Sequence, residues 1–192
     1  PLANARAMVP HLHVVEADEK ADAKLLEGIA DWCDRFTPFV ALDPPHGLFL
    51  DLTGCTHLFG GEKQSLTHIR DSIGKQGFVV GAGIAGTAAA AYALSRFANG
   101  TIAEPGNEAE ALAPLPVAAL NCDLKISHAL RRAGLKTVGQ IALRNRSELA
   151  SRFGNEFVFR LERTLGRSEQ PINPLRPVPD FIVERRFAEP IM

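Results

Sequence analysis

Cysteine is scarce. Cys33, Cys55 and Cys122 are widely spaced and none forms a CxxC pair. That pattern argues against a disulfide framework or a zinc site and fits a reducing cytosol. No apolar run reaches transmembrane length, and no charged-then-apolar leader opens the chain. A cytoplasmic protein without a membrane partner is therefore expected. Neither sign of charge dominates, with 21 Lys and Arg against 22 Asp and Glu. A hydrophobic fraction of 46% and mean hydropathy near zero describe an ordinary globular chain of one or two domains. The chain opens at Pro1 without Met and stops abruptly at Met192, which reads as a fragment of a longer protein.

The balanced total hides an asymmetry. Residues 1–120 carry 8 Lys and Arg against 14 Asp and Glu, net −6; residues 121–192 carry 13 against 8, net +5. A basic C-terminal third suggests an anionic partner, with nucleic acid the first candidate. Solvated helix faces would give the same numbers, and charge alone does not separate the two.

Periodicity places the elements. His11–Glu16 alternates weakly, as a strand would. Glu19–Phe36 carries Leu25, Leu26, Ile29, Trp32 and Cys33 at helical spacing. Phe39–Leu42 and Leu48–Leu52 flank Asp43-Pro44-Pro45-His46-Gly47, which predicts a β-hairpin. Glu62–Lys75 reads as an amphipathic helix, Phe78–Ile84 as a strand and Thr87–Phe97 as an alanine-rich helix. Strands alternating with helices predict an α/β arrangement. Residues 106–116 are rich in Pro, Ala and Glu and read as a linker. Beyond them Ile126–Ala133, Thr137–Leu143, Ser147–Phe153 and Asn155–Leu165 predict four short helices, with Ser147 and Asn155 as N-caps and Gly154 and Gly166 as stops. Prolines at 171, 174, 177 and 179 then break regular structure, and Phe181–Phe187 reads as the start of a strand.

Three motifs carry chemistry. Gly81-Ala82-Gly83-Ile84-Ala85-Gly86 is a true GxGxxG before an alanine-rich helix, and Glu104 lies 18 residues past Gly86. A FAD- or NAD-binding oxidoreductase would use such glycines to approach pyrophosphate. Against this, about eighty residues precede the motif, and Thr101-Ile102-Ala103 is a short second strand followed by prolines. Leu130-Arg131-Arg132-Ala133-Gly134-Leu135-Lys136-Thr137-Val138-Gly139 is a helix–Gly turn–helix with three cations, either a phosphate-binding hairpin or an ordinary pair of helices. Gly47-Leu48-Phe49-Leu50-Asp51-Leu52-Thr53-Gly54-Cys55-Thr56-His57-Leu58-Phe59-Gly60-Gly61-Glu62 is a short apolar strand, a turn and a helix start. His57, His68 and His128 have no partners at metal-ligand spacing, and His11-x-His13 is a weak pair on one strand face.

The last motif resembles the second palm strand of Y-family DNA polymerases, where an Asp-Glu pair precedes an apolar-Asp-apolar-Thr run. Aligned on Asp51-Leu52-Thr53, that pair falls on His46 and Gly47, which are poor replacements for magnesium ligands. Gly83-Ile84-Ala85 is similar to a second family segment, whose two lysines fall here on Ala88 and Tyr92. The turn at Gly134 resembles the second half of the family's helix-hairpin-helix, whose earlier Gly-x-Gly hairpin is replaced by Asn121-Cys122-Asp123-Leu124-Lys125. Together with Phe181–Ile191, these segments are similar to ImuB-type proteins, a bacterial branch that lacks polymerase catalytic residues.

The resemblance implies an α+β palm, a ferredoxin-like sheet with packed helices, followed by a small all-α helix-hairpin-helix thumb. The implied divisions are 1–105 for palm and fingers without the first strand, 106–116 for a linker, 117–170 for the thumb, and 171–192 for a linker and the start of a truncated little finger. The family's first catalytic Asp would lie upstream of Pro1. The resemblance implies sequence-independent DNA binding through Arg131, Arg132, Gly134, Lys136, Thr137 and Gly139, with Asp51 and Thr53 fixing a strand corner. It implies neither cofactor nor resident metal, and a scaffolding role near the nucleoid in SOS, damage-induced translesion mutagenesis. The partners it implies are an error-prone replicative-type polymerase, a RecA-like accessory protein and the sliding clamp. An active translesion polymerase is the alternative within the family.

Overall fold

The computed structural model describes residues 2–168 and 170–175. Helices α1 (Leu2–Met8) and α2 (Glu19–Cys33) come first, then strands β1 (Val40–Asp43) and β2 (Gly47–Leu50). Helices α3 (Glu62–Gly74), α4 (Ala88–Phe97), α5 (Glu108–Leu112), α6 (Leu124–Arg132), α7 (Val138–Ala142), α8 (Arg146–Phe153) and α9 (Asn155–Thr164) follow. The result is helix-rich, and its sheet is one antiparallel pair with Val40 opposite Leu50 and Asp43 opposite Gly47.

Local chemistry explains most boundaries. Asp18 caps α2 by accepting the Ala21 N–H at 3.0 Å, and Thr87 caps α4 by accepting the Ala90 N–H at 3.2 Å. The alanines of α4 bring its backbone close to its neighbours, and Ala90, Ala93 and Leu94 have no exposed surface. In α9, Phe157, Leu161 and Thr164 form the buried stripe that a 3.6-residue period dictates.

Two apolar clusters result. One joins Ala30 and Cys33 of α2 to Phe36, Val40 and Ile73, with Leu42, Leu48, Leu50 and Val80 packed against them. The other starts in α4 and runs through Leu112, Val117, Leu120, Leu130, Ile141, Leu149, Phe157 and Leu161. Helix α4, expected with the preceding strand layer, thus lies in the same core as the C-terminal helices.

Several expectations need correction. Residues 106–116 are not a loose linker, because Leu112 and Leu115 are buried and Glu108–Leu112 is helical. The predicted strand at His11–Glu16 is irregular and exposed, with no strand to pair with among the described residues. Of Phe78–Ile84, Ile84 pairs with Ile102 in a single parallel bridge, and the rest lacks a ladder partner among the described residues. The expected ferredoxin-like sheet is therefore a hairpin in the described residues. Helix α8 is capped by Asn145, whose Oδ1 accepts the Ser147 N–H at 2.8 Å, and Gly154 stands at the N-cap of α9 in place of Asn155. The expected strand at Phe181–Phe187 lies outside the described residues.

After α9 the chain returns to the first cluster, where the Leu175 N–H donates to the Val40 carbonyl at 2.8 Å. Truncating Leu161, which has no exposed surface, is expected to cost about 2–5 kcal/mol in urea unfolding, the usual range for buried Leu to Ala. Thr137→Ala, at a cap on the protein surface, should cost about 1 kcal/mol.

Candidate nucleic-acid interface

The turn between α6 and α7 is fixed from both sides. Asp123 caps α6 through the Lys125 N–H at 2.6 Å. At its other end Gly134 takes φ +81°, a left-handed conformation that suits glycine, and the Leu135 N–H closes onto the Leu130 carbonyl at 3.0 Å. Leu130 and Leu135 point into the core, which leaves Arg131, Arg132 and Lys136 exposed around the turn. Thr137 and Gln140 form a reciprocal capping box at the start of α7. Gly139 sits where a Cβ would come within 3.0 Å of the Ala113 carbonyl oxygen, so its role in the fold is close approach to the 106–116 stretch.

The amides of this turn are committed internally. Gln140 Oε1 accepts the N–H groups of Lys136 at 2.7 Å and Thr137 at 3.3 Å. The Val138 N–H donates to the Leu115 carbonyl and the Gly139 N–H to the Ala113 carbonyl, at 2.9 and 3.0 Å. The Gln140 N–H returns to Thr137 Oγ1. The backbone donors of Lys136, Thr137, Val138 and Gly139, which a phosphate-binding hairpin would turn toward an anion, therefore have protein partners here. What the turn offers an anion is the three cationic side chains. The sequence could not show the partners of the Val138 and Gly139 amides, because those carbonyls come from a stretch about 25 residues upstream.

Other arginines of the unit are partly spent on structure. Arg146 Nε meets Glu162 Oε1 at 2.6 Å while its Nη1 donates to the carbonyls of Ala142 and Arg144. Arg167 shares Glu162 at 3.6 Å, and Arg160 donates to the Asn121 carbonyl at 2.8 Å. Among the described residues, exposed Lys125, Arg131, Arg132, Lys136 and Arg144 form no ion pair. Lys125 and Arg144 extend the set read from the sequence; the signal for them was the charge of the segment as a whole.

The hairpin tip has a different chemistry. His46 is exposed at the turn and Gly47 opens β2. Across the strand pair, Asp43 Oδ2 reaches Arg96 Nη2 of α4 at 3.4 Å, and that guanidinium lies 4.4 Å from the Tyr92 ring centroid. A Cβ on Gly47 would stand 2.7 Å from Asp43 Oδ2, so the Asp43 carboxylate already fills the space of a side chain there. Asp51 Oδ1 accepts the Thr53 N–H at 2.9 Å and its carbonyl accepts the Thr37 hydroxyl at 2.5 Å, which is the corner role expected of it. Among the described residues no group of three His, Cys, Asp or Glu could hold a metal ion. One carboxylate engaged by Arg96 and another closing a turn do not fit a pair of magnesium ions. The sequence alignment pointed to His46 and Gly47 but missed the Asp43–Arg96 pairing, which joins residues 53 apart.

The GxGxxG stretch is explained by internal packing. A Cβ on Gly81 would meet the Ser95 carbonyl oxygen at 2.5 Å, one on Gly83 the Leu94 Cβ at 2.6 Å, and one on Gly86 the Glu108 carboxylate at 2.6 Å. Close packing against α4 and Glu108 thus accounts for these glycines without a bound dinucleotide.

No family model matches the chain. Protein ImuB of Caulobacter vibrioides is 43% identical over 190 residues, covering 98% of this chain and 42% of that protein. This chain is an ImuB-like homologue of the Y-family DNA polymerases. DNA polymerase IV 2 of Mesorhizobium japonicum is 29% identical over 147 residues, covering 74% of this chain and 35% of the polymerase. The chain thus spans less than half the length of these relatives. DinB from Sulfolobus solfataricus has the same fold, with a TM-score of 0.72 at 15% identity over 91% of this chain and 53% of its own. The palm-like part of that fold fits the region around the hairpin.

Burial pushes the Cys33 thiol up from the ordinary 9.0 to about 11, against the opposing charge of Arg35. A raised folded value means that protonated Cys33 favours the fold below pH 9, and that this contribution is lost as pH rises through 11. Urea midpoints should accordingly fall across that window, and Cys33→Ala should flatten this part of the pH profile.

Proposed function

We propose that this chain is the non-catalytic, DNA-holding portion of a Y-family-like scaffold in error-prone translesion synthesis. The observation that carries the reading is the exposed Arg131, Arg132 and Lys136 around a turn whose backbone donors are already used. Unpaired cations on a rigid surface attract the phosphate backbone without reading base sequence. Helices α6–α9 are the thumb in this reading, and residues 1–105 derive from palm and fingers. Gly134, Thr137 and Gly139 act by shaping the turn that carries the cations.

Loss of catalysis follows from the hairpin tip. An acidic residue at position 47 would have to displace Asp43 from Arg96, and His46 presents a nitrogen donor that suits magnesium poorly. Holding DNA without extending it suits a scaffold that presents a damaged template to a second, error-prone replicative-type polymerase. By family resemblance, a RecA-like accessory protein and the sliding clamp complete the assembly, in the SOS-induced cell and at the nucleoid.

Two measurements test this. Duplex binding across a salt series should weaken as salt rises. Arg131→Ala/Arg132→Ala/Lys136→Ala should bind less tightly, with a log–log slope shallower by up to about 0.9 for each phosphate no longer neutralised. An unchanged slope would remove the turn from the interface. Primer extension with magnesium or manganese should give no incorporated nucleotide; any template-dependent extension would instead support the active-polymerase reading.

A further inference from the structure

Glu108 is 1% exposed at the start of α5, and among the described residues it has no cationic partner. Its two oxygens are shared between two backbone donors. Oε1 accepts the Gly86 N–H at 3.2 Å and Oε2 accepts the Gly106 N–H at 2.8 Å. A third glycine, Gly166, packs so tightly on the other side that a Cβ there would stand 2.6 Å from the carboxylate carbon. The three glycines belong to three different joints. Gly86 precedes α4, Gly106 precedes α5, and Gly166 follows α9. Beside them the Thr87 hydroxyl donates to the Arg163 carbonyl at 2.7 Å, a second link between the start of α4 and the end of α9.

A buried carboxylate is costly to desolvate and is tolerated when its lone pairs are met by well-placed donors. An apolar residue in the same space would avoid that cost but leave the Gly86 and Gly106 N–H groups without their acceptor. What the carboxylate adds is direction, since it must be approached by N–H groups from two segments at once. The geometry points to Glu108 as a positioning residue. Its hydrogen bonds join the start of α4 to the start of α5, and the end of α9 packs on the carboxylate at Gly166. With the Thr87–Arg163 bond, this joint fixes the cationic helices α6–α9 against α4 and so sets where Arg131, Arg132 and Lys136 meet DNA. This inference rests on the DNA-holding reading for its purpose and on the carboxylate geometry for its existence.

Glutamine is the sharp test. It is isosteric with Glu108 but offers one carbonyl oxygen and one NH2 group, so one glycine N–H would face a donor. Spin labels at Phe97→Cys on α4 and His128→Cys on α6, in a Cys55→Ser/Cys122→Ser background, report the distance between the two parts. The distribution should be narrow with Glu108, at least twice as wide in Glu108→Gln and wider still in Glu108→Ala, with helix content by circular dichroism unchanged in the Gln variant. Duplex affinity should fall about ten-fold in Glu108→Gln while the salt slope stays that of the parent, because every phosphate-binding cation is still present. An unchanged distance distribution, an unchanged affinity, or loss of helix content in Glu108→Gln would each overturn the positioning role. Failure of the parent protein to bind duplex would instead sink the DNA-holding reading, and the label distances would still decide whether the joint exists.

Discussion

The alanine-rich face of α4 governs the arrangement of everything after it. Ala90 and Ala93 present little bulk, so α9 and the segment around Leu120 approach the α4 backbone closely, and the apolar core, with Leu94 filling it, grows outward from that meeting point. The same closeness dictates the glycines on the other side of α4. Gly81 and Gly83 lie against Ser95 and Leu94 because the helix leaves no room for a Cβ. A stretch that reads as a nucleotide cradle is thus the complement of a helix that has come unusually near.

Electrostatics in the C-terminal helices separates into two jobs. Arg146, Arg160 and Arg167 are bonded to backbone carbonyls or to Glu162 or Glu156, where they tie helix ends together. Arg131, Arg132 and Lys136 are exposed and form no ion pair among the described residues. Exposed ion pairs contribute little to stability, so the Arg160 and Arg167 pairs add little to what apolar packing supplies.

The sequence disclosed elements whose determinants are local. The helices from residue 124 onward follow from apolar spacing and from Gly134, Gly154 and Gly166, and the hairpin follows from Asp43-Pro44-Pro45-His46-Gly47. It failed where the determinant was a distant neighbour. Phe78–Gly83 has strand composition, yet pairing needs a second strand, and Ile102 supplies it at Ile84 alone. Residues 106–116 have linker composition, yet Leu112 and Leu115 are placed to reach the core. At the site, the cations were legible because their exposure follows from helix phase. The fate of the Val138 and Gly139 amides was not, since it depends on carbonyls at Leu115 and Ala113.

The bond from the Leu175 N–H to the Val40 carbonyl has a mechanical meaning. Val80 leaves the first cluster and Leu175 returns to it, so the helical block is a closed excursion of about 95 residues. Closing a flexible loop of that length costs about 4 kcal/mol in chain entropy, whereas one backbone hydrogen bond returns about 1 kcal/mol. The bond can persist only because the intervening helices have already folded and deliver residue 175 to the strand edge. Solvent exchange of the Leu175 amide therefore registers the integrity of a block whose centre is remote from it.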